Sequence, residues 1–292
     1  MFENCLICTD FADGLHRLVD FVPQLAINGL KRIVFLHSIS VWQGDKAASV
    51  DEEKIAEAKK RLAPALEKVP QGVEVKVEVR LGNPKDSILQ LIDIYKIDVV
   101  FTGMPIHNTL EARIFGSHTL ELAPSTPTPL MILRPQLIST YTCEELALRC
   151  QHLWRYLLIP YNDGKSAHYL LENIKKMAQE QPNNGFKHCL LFWVIDDGGR
   201  NQELTEYHLQ EAQEKLNQVK AELETLNLSV KTEVRQGNPL QEILDAALHY
   251  DISAIAIACD YRSNILEWTA PSLANDVLNR SWFPVLFFSP KK

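Results

Sequence analysis

No phosphate-gripping P-loop, no basic face, no membrane-length apolar run and no cysteine framework occurs in this sequence. Each absence removes a class of function. The pattern GxxxxGK[ST] is missing, so the commonest route to nucleotide triphosphate hydrolysis is closed. Lys and Arg number 30 against 37 Asp and Glu, a net charge of -7 that gives no electrostatic footprint for nucleic acid. Short basic clusters such as Lys59-Lys60-Arg61 read as the wet face of a helix. Without a leader pattern or an apolar run of about 18 residues, the chain is expected to be cytoplasmic and away from membranes. The six cysteines form neither a disulfide set nor a metal set. Cys5 and Cys8 have redox spacing but lie in an apolar strand pattern that turns them to opposite faces, and Cys143, Cys150, Cys189 and Cys259 are scattered. No nucleophile, base and orienting group assemble either, so catalysis is not expected.

What is present is a duplication. VRLGNPKDSILQLIDIYKIDVVFTG, from Val79, is answered by VRQGNPLQEILDAALHYDISAIAIA, from Val234. Gly82 pairs with Gly237, Pro84 with Pro239 and Pro129 with Pro284 at one constant offset, while Asp98 pairs with Asp251 only after a two-residue slip. A chain of this length with an internal repeat is two domains. The expected boundaries are residues 1–135, a linker at 136–152 and residues 153–292.

Within the first half, continuous apolar runs at Cys5–Thr9, Ile33–His37, Asp98–Thr102 and Leu130–Leu133 are strands covered on both faces. Val73 to Arg80 alternates Val against Glu and Lys, as an edge strand does. Between the strands lie amphipathic patterns: Leu15 to Leu25, broken by Pro23; a charged helix from Asp51 to about Val69; and Ile88, Leu89, Leu91 and Ile92 after an Asn83 cap. Asp13 is placed to cap the first of these. The order βαβαβαβαβ with short connections predicts an α/β fold, a doubly wound five-stranded parallel sheet in each half. Such sheets bind ligands beyond the carboxyl ends of the strands, and Asp10, His37, Ser38 and Gly103 each follow a strand on that rim.

The loop from Gly103 through Ile106 and His107 to Gly116, Ser117 and His118 leaves the fourth strand and returns as Gly-Ser at a helix start. Two readings of Gly116-Ser117 stand on the residues alone: a turn with an N-cap, or bare N–H groups and a hydroxyl for a phosphate. Gly82-Asn83-Pro84 reads first as a turn and helix start. His37, His107 and His118 offer a general base, which keeps a weak ATP hydrolase as the alternative to a regulatory or binding protein. They lack the short spacing of a zinc site.

On these residues the whole chain resembles the universal stress protein family in its tandem two-domain form, of the adenine nucleotide alpha hydrolase-like type. Nucleotide-binding members carry Gly-x2-Gly-x9-Gly-(Ser/Thr) after the fourth strand and an Asp ending the first. Gly103, Gly116, Ser117 and Asp10 match, and Ile106 replaces the second glycine. The resemblance implies that Asp10 and the Ser38-Ile39 backbone lie by adenine and ribose. It implies that Gly103, Gly116, Ser117 and His118 hold phosphates, with Ile106 and His107 in the same loop. The ligand implied is ATP or AMP, with Mg²⁺ alongside ATP; a chain with no nucleotide is the alternative that Ile106 leaves open. In the second copy Ala258, Tyr261 and Pro271-Ser272 stand at the motif positions, and Asp163 matches the aspartate loosely. That half is expected to bind no nucleotide and to pack with the first as an intramolecular pseudo-dimer. A homodimer and an unidentified small-molecule or protein partner complete the expectation; nucleic acid and membrane do not enter it.

Overall fold

The structure is a computed structural model that describes residues 1–39, 47–106, 121–180, 185–196, 202–259 and 272–289. It divides into two compact units, Phe2–Gln151 and, from His152, the remainder of the chain.

The first unit runs β1 (Asn4–Cys8), a 3-10 turn (Leu15–Phe21), α1 (Val22–Ile27), β2 (Arg32–Ile39) and α2 (Ala47–Leu62). It continues through β3 (Glu74–Leu81), α3 (Pro84–Tyr95), β4 (Val99–Gly103), β5 (Leu130–Leu133), α4 (Pro135–Thr140) and α5 (Cys143–Gln151). All its strand pairs are parallel, in the order β3-β2-β1-β4-β5. Strand order therefore reverses between β1 and β4, and the carboxyl ends of these two strands are the natural place for a ligand. Leu6, Ile7, Val34, Phe35, Val100 and Phe101 have no exposed surface, as strands covered on both faces require. The break at Pro23 appears as the change from the 3-10 turn to α1, with the proline in the first turn of α1.

The second unit repeats this plan with β6 (Tyr156–Pro160), α6 (Lys165–Glu180), β7 (His188–Ile195), α7 (Gln202–Glu224) and β8 (Ser229–Gln236). There follow α8 (Pro239–His249), β9 (Ala254–Ala258), α9 (Leu273–Arg280) and β10 (Val285–Phe288). Its parallel order is β10-β9-β6-β7-β8.

The repeated Gly-Asn-Pro is a turn and helix start in both copies. Gly82 has φ 110° and Gly237 φ 147°, backbone open to glycine alone. Asn83 accepts the Lys85 N–H at 2.8 Å and Asn238 accepts that of Gln241 at 3.2 Å, each just before the proline of its helix. Replacing Asn83 by Ala should cost about 1 kcal/mol, read as a lower denaturant midpoint with an unchanged slope.

Two local expectations change. His37 and Ser38 do not follow a strand: β2 extends through them and Ile39 because β3 pairs with all of it, up to Ile39 opposite Leu81. The linker expected at 136–152 opens within a helix, α4, and Arg17 on the 3-10 turn donates to the Ile138 and Tyr141 carbonyls at its end. The slip at Asp98 disappears as well. Asp98 N–H donates to the Asn4 carbonyl at 2.9 Å, and it is Ser253 N–H that donates to Tyr156 at 2.9 Å in the second unit, so the offset that relates Gly82 to Gly237 and Pro129 to Pro284 holds at Asp98 too.

Candidate functional site

Beyond Cys8 the chain leaves β1 in a tight turn built from its own polar groups. Asp10 Oδ1 accepts the N–H groups of Ala12 and Asp13 at 2.8 and 2.9 Å. Thr9 Oγ1 accepts the Phe11 N–H at 3.0 Å and donates to Asp13 Oδ1 at 2.8 Å. Asp13 Oδ1 also accepts the Leu15 N–H at 2.9 Å, so it supports the helical turn as expected, although Gly14 takes the cap position itself. Burial, reinforced by the Asp10 charge, pushes the Asp13 carboxyl up to about 6 against the pull of these donors.

The turn forces Phe11 into the left-handed region, at φ 67°. For a bulky side chain this costs about 1–2 kcal/mol. Its ring is held in return: the His37 ring lies 4.1 Å away, centroid to centroid, tilted by 31°, and the Arg61 guanidinium carbon lies 3.9 Å from the ring centre. Two neighbours this near the centre of one ring cannot share a face, so Phe11 is sandwiched between an imidazole and a cation. The His37 ring is itself fixed, because its Nδ1 donates to the Thr9 carbonyl at 2.9 Å.

A cavity of about 370 Å³ opens here, lined by Phe11, His37, Ser38, Ile39, Lys54, Glu57, Ala58 and Arg61. The helical contribution comes from positions spaced by three and four on α2, one face of the helix. Ser38 Oγ is buried and makes no hydrogen bond among the described residues, a cost that a ligand donor or acceptor would remove.

Of the residues expected at the site, Ser38 and Ile39 line this cavity, and Asp10 precedes Phe11 in the chain but is not among the lining residues. Gly103 is on the same rim but against other neighbours: a Cβ there would meet Asp13 Cβ at 3.1 Å and Pro135 Cγ at 3.3 Å. Ile106 is tied to Gln136, its N–H donating to Oε1 at 3.3 Å and its carbonyl accepting from Nε2 at 3.4 Å. His107, Gly116, Ser117 and His118 lie outside the described residues. Phe11, Lys54, Glu57, Ala58 and Arg61 are the lining residues that the sequence reading missed. Arg61 is exposed, as the wet-face reading has it, and still lies against the Phe11 ring; its spacing of three from the buried Ala58 was the available signal.

The second unit uses the same backbone with different chemistry. Tyr161 N–H donates to the Phe192 carbonyl at 2.9 Å as Thr9 N–H donates to Leu36 at 3.0 Å, which places Asn162 at the position of Asp10 and Asp163 at that of Phe11. Asp163 is likewise left-handed, at φ 58°. Its carboxylate meets Lys215 Nζ at 2.9 Å and accepts from His168 Nε2 at 2.9 Å. The Lys215 ammonium beside it, more than burial opposes, holds this carboxyl below its ordinary value. Lys215 precedes the buried Leu216 as Arg61 precedes the buried Leu62. Ser272, the surviving motif residue, spends its hydroxyl on the Asn275 N–H at 3.2 Å and caps α9. Among the described residues no group of three or more His, Cys, Asp and Glu is arranged to hold a metal ion. No helix among them is long and apolar enough to cross a membrane.

The family model described as the universal stress protein family matches residues 1–134 and again 154–289. The chain therefore belongs to that family, in a tandem two-domain form. It is similar in fold to a universal stress protein from Archaeoglobus fulgidus DSM 4304, with 16% identity, a TM-score of 0.66 and 98% of each chain covered. A putative universal stress protein from Pseudomonas aeruginosa UCBPP-PA14 is similar at 14% identity and a TM-score of 0.57, over 99% of this chain and 94% of that one. A functionally unknown protein from Pseudomonas aeruginosa PAO1 has 14% identity and a TM-score of 0.58, over 99% and 93%. No curated protein sequence matches the chain.

Proposed function

We propose, with membership of the universal stress protein family as the premise, that this chain is a stress-related regulatory protein that binds an adenine nucleotide at the first-unit cavity and does not turn it over. The observation that carries this reading is the cavity of about 370 Å³ beside the orphaned Ser38 hydroxyl, with Lys54 and Arg61 on its wall. That volume lies in the range of small-molecule pockets, about 300–1,000 Å³. The two cations, offset in part by Glu57 on the same wall, leave a net attraction for an anionic ligand, and Ile39 supplies an apolar wall for a base. Asp10, next to Phe11 in the chain, is a group the family resemblance sets by adenine and ribose.

The second unit lacks this arrangement. Its carboxylate at the equivalent turn already meets its lysine, and Val194 stands where the first unit has Ser38, since each faces an arginine across the neighbouring strand pair. One ligand per chain is therefore the expected stoichiometry.

The reading in which no nucleotide binds is favoured by two contacts: Asp10 Oδ1 is turned onto its own turn's N–H groups, and the Ile106 backbone is engaged by Gln136. Titration calorimetry of the full chain with AMP and with Mg-ATP separates the two. Saturable binding at one site per chain is expected, lost in Ser38→Val and kept in Val194→Ala. Absence of heat with both nucleotides overturns the reading, as does binding that Ser38→Val leaves intact. Multiple-turnover ADP release would replace it with the hydrolase alternative.

A further inference from the structure

We infer that Phe11 is a displaceable stand-in for the ligand's ring, a gate that sets how tightly the first-unit cavity accepts a planar ligand. This rests on the cavity being the ligand site and concerns what regulates it.

Both faces of the Phe11 ring are taken, one by His37 at 4.1 Å and the other by Arg61 at 3.9 Å. A ring in that state has no face left to offer a ligand, so Phe11 is not a stacking platform. A planar group entering the cavity gains an aromatic or cationic partner only by taking the place between His37 and Arg61 that the phenyl ring now fills. The backbone does not have to move in such an exchange: Phe11 is held left-handed at φ 67° by the hydrogen bonds of its own turn, which do not involve the ring. Released from the sandwich, the side chain gives up those two contacts and its edge-on contact with the His16 ring at 6.0 Å, and a ligand ring regains the first two.

The second unit gives an independent sign that this position is built to reach across to the second helix. Asp163, also left-handed at φ 58°, meets Lys215 at 2.9 Å where Phe11 meets Arg61. The bridge there is an ion pair, and a neutral planar ring has nothing equivalent to put in its place. In the first unit the bridge is made of ring and cation, the same chemistry that a heteroaromatic ligand carries. The gate therefore selects planar heteroaromatic ligands over aliphatic anions of the same charge.

The experiment is titration of full-length wild type, Phe11→Gly, Phe11→Asn and Phe11→Trp with AMP, and with ribose 5-phosphate as the anion without a ring. Glycine and asparagine both tolerate the left-handed backbone, so these variants are expected to fold, checked by circular dichroism and melting. Phe11→Gly and Phe11→Asn should bind AMP about tenfold more tightly than wild type, the order expected when one desolvated cation–ring contact no longer competes. Phe11→Trp should bind it more weakly. Ribose 5-phosphate should bind weakly and equally to all four. An AMP affinity that falls or stays the same in Phe11→Gly and Phe11→Asn overturns the gate and leaves the cavity reading standing. Absence of AMP binding to wild type and to both opened variants overturns the cavity reading and the gate with it.

Discussion

As the pH rises from about 4 to about 7 the first unit should lose roughly 2 kcal/mol of stability through Asp98 alone, and Asp98→Asn should abolish that part of the slope. Asp98 stands just before β4 and ties the start of β1 in place: Oδ2 accepts the Glu3 N–H at 2.8 Å and Oδ1 the Asn4 N–H at 3.0 Å. Burial pushes its carboxyl up from 3.8 to about 6, and the N–H donors and the chain's amino terminus bring it only part of the way back. A carboxyl raised in the folded state holds its proton more tightly than the unfolded chain does. Its contribution is therefore complete below about pH 4 and is lost as the pH passes about 6. The full shift would be worth about 3 kcal/mol, and partial exposure to solvent reduces this to about 2. At pH 7 the variant carries a different penalty. Both carboxylate oxygens face donors, so an amide must aim its NH₂ at one of them, at a cost of about 1–3 kcal/mol. Asp98→Ser should be milder, because Ser253 at the same place in the second unit accepts the Tyr156 N–H at 3.4 Å with a single oxygen. Urea midpoints measured from about pH 4 to pH 8 check both effects, and a pH slope left unchanged in Asp98→Asn would refute the assignment.

Much of this architecture could be read from the chain because it depends on periodicity and on residues with one conformational use. The Gly-Asn-Pro turns fall in this class, since a glycine beyond the reach of other residues, a cap and a helix-starting proline leave one local structure. The edge character of β3 was also legible, because alternation of Val with Glu and Lys has no other good placement in a parallel sheet. The apparent slip at Asp98 shows the limit. Matching by residue identity paired Asp98 with Asp251, whereas the backbone pairs it with Ser253, a different side chain that accepts the same N–H. Identity matching cannot see that two residue types do one job. The length of β2 was illegible for another reason: its last residues are held by β3, a partner far along the chain, and not by anything local.

The candidate site divides in the same way. Asp10 and Ser38 follow from the rule that ligands sit beyond strand ends. Phe11 does not, because an apolar residue three places past a strand reads as core. Only its left-handed backbone and the arrival of Arg61 from α2 set it apart, and both are tertiary facts. Arg61 is exposed like the two lysines before it, and only its spacing of three from the buried Ala58 distinguished it from them.

Gly103→Ala is expected to destabilise the first unit by about 1–3 kcal/mol with no nucleotide present, and Gly103→Val by more. A Cβ at residue 103 would lie 3.1 Å from Asp13 Cβ, 3.3 Å from Pro135 Cγ and 3.4 Å from Asp13 Oδ2. None of these is the loose end of a long side chain. Asp13 is held by Thr9 and by the Leu15 N–H, and Pro135 is a rigid ring in the first turn of α4. Room for the methyl group requires Asp13 to move, which loosens the Thr9–Asp13 bond at 2.8 Å and with it the turn that holds Phe11 left-handed. The glycine thus has a packing duty that operates without any phosphate, and the variant should melt earlier in nucleotide-free buffer. If instead Gly103→Ala melts like wild type in that buffer and loses affinity only for ATP, the position is kept open for a phosphate and the packing account fails. Comparing the loss for ATP with that for AMP sharpens the choice: a displaced Asp13–Phe11 turn weakens or strengthens both ligands together, whereas a blocked phosphate site penalises ATP alone.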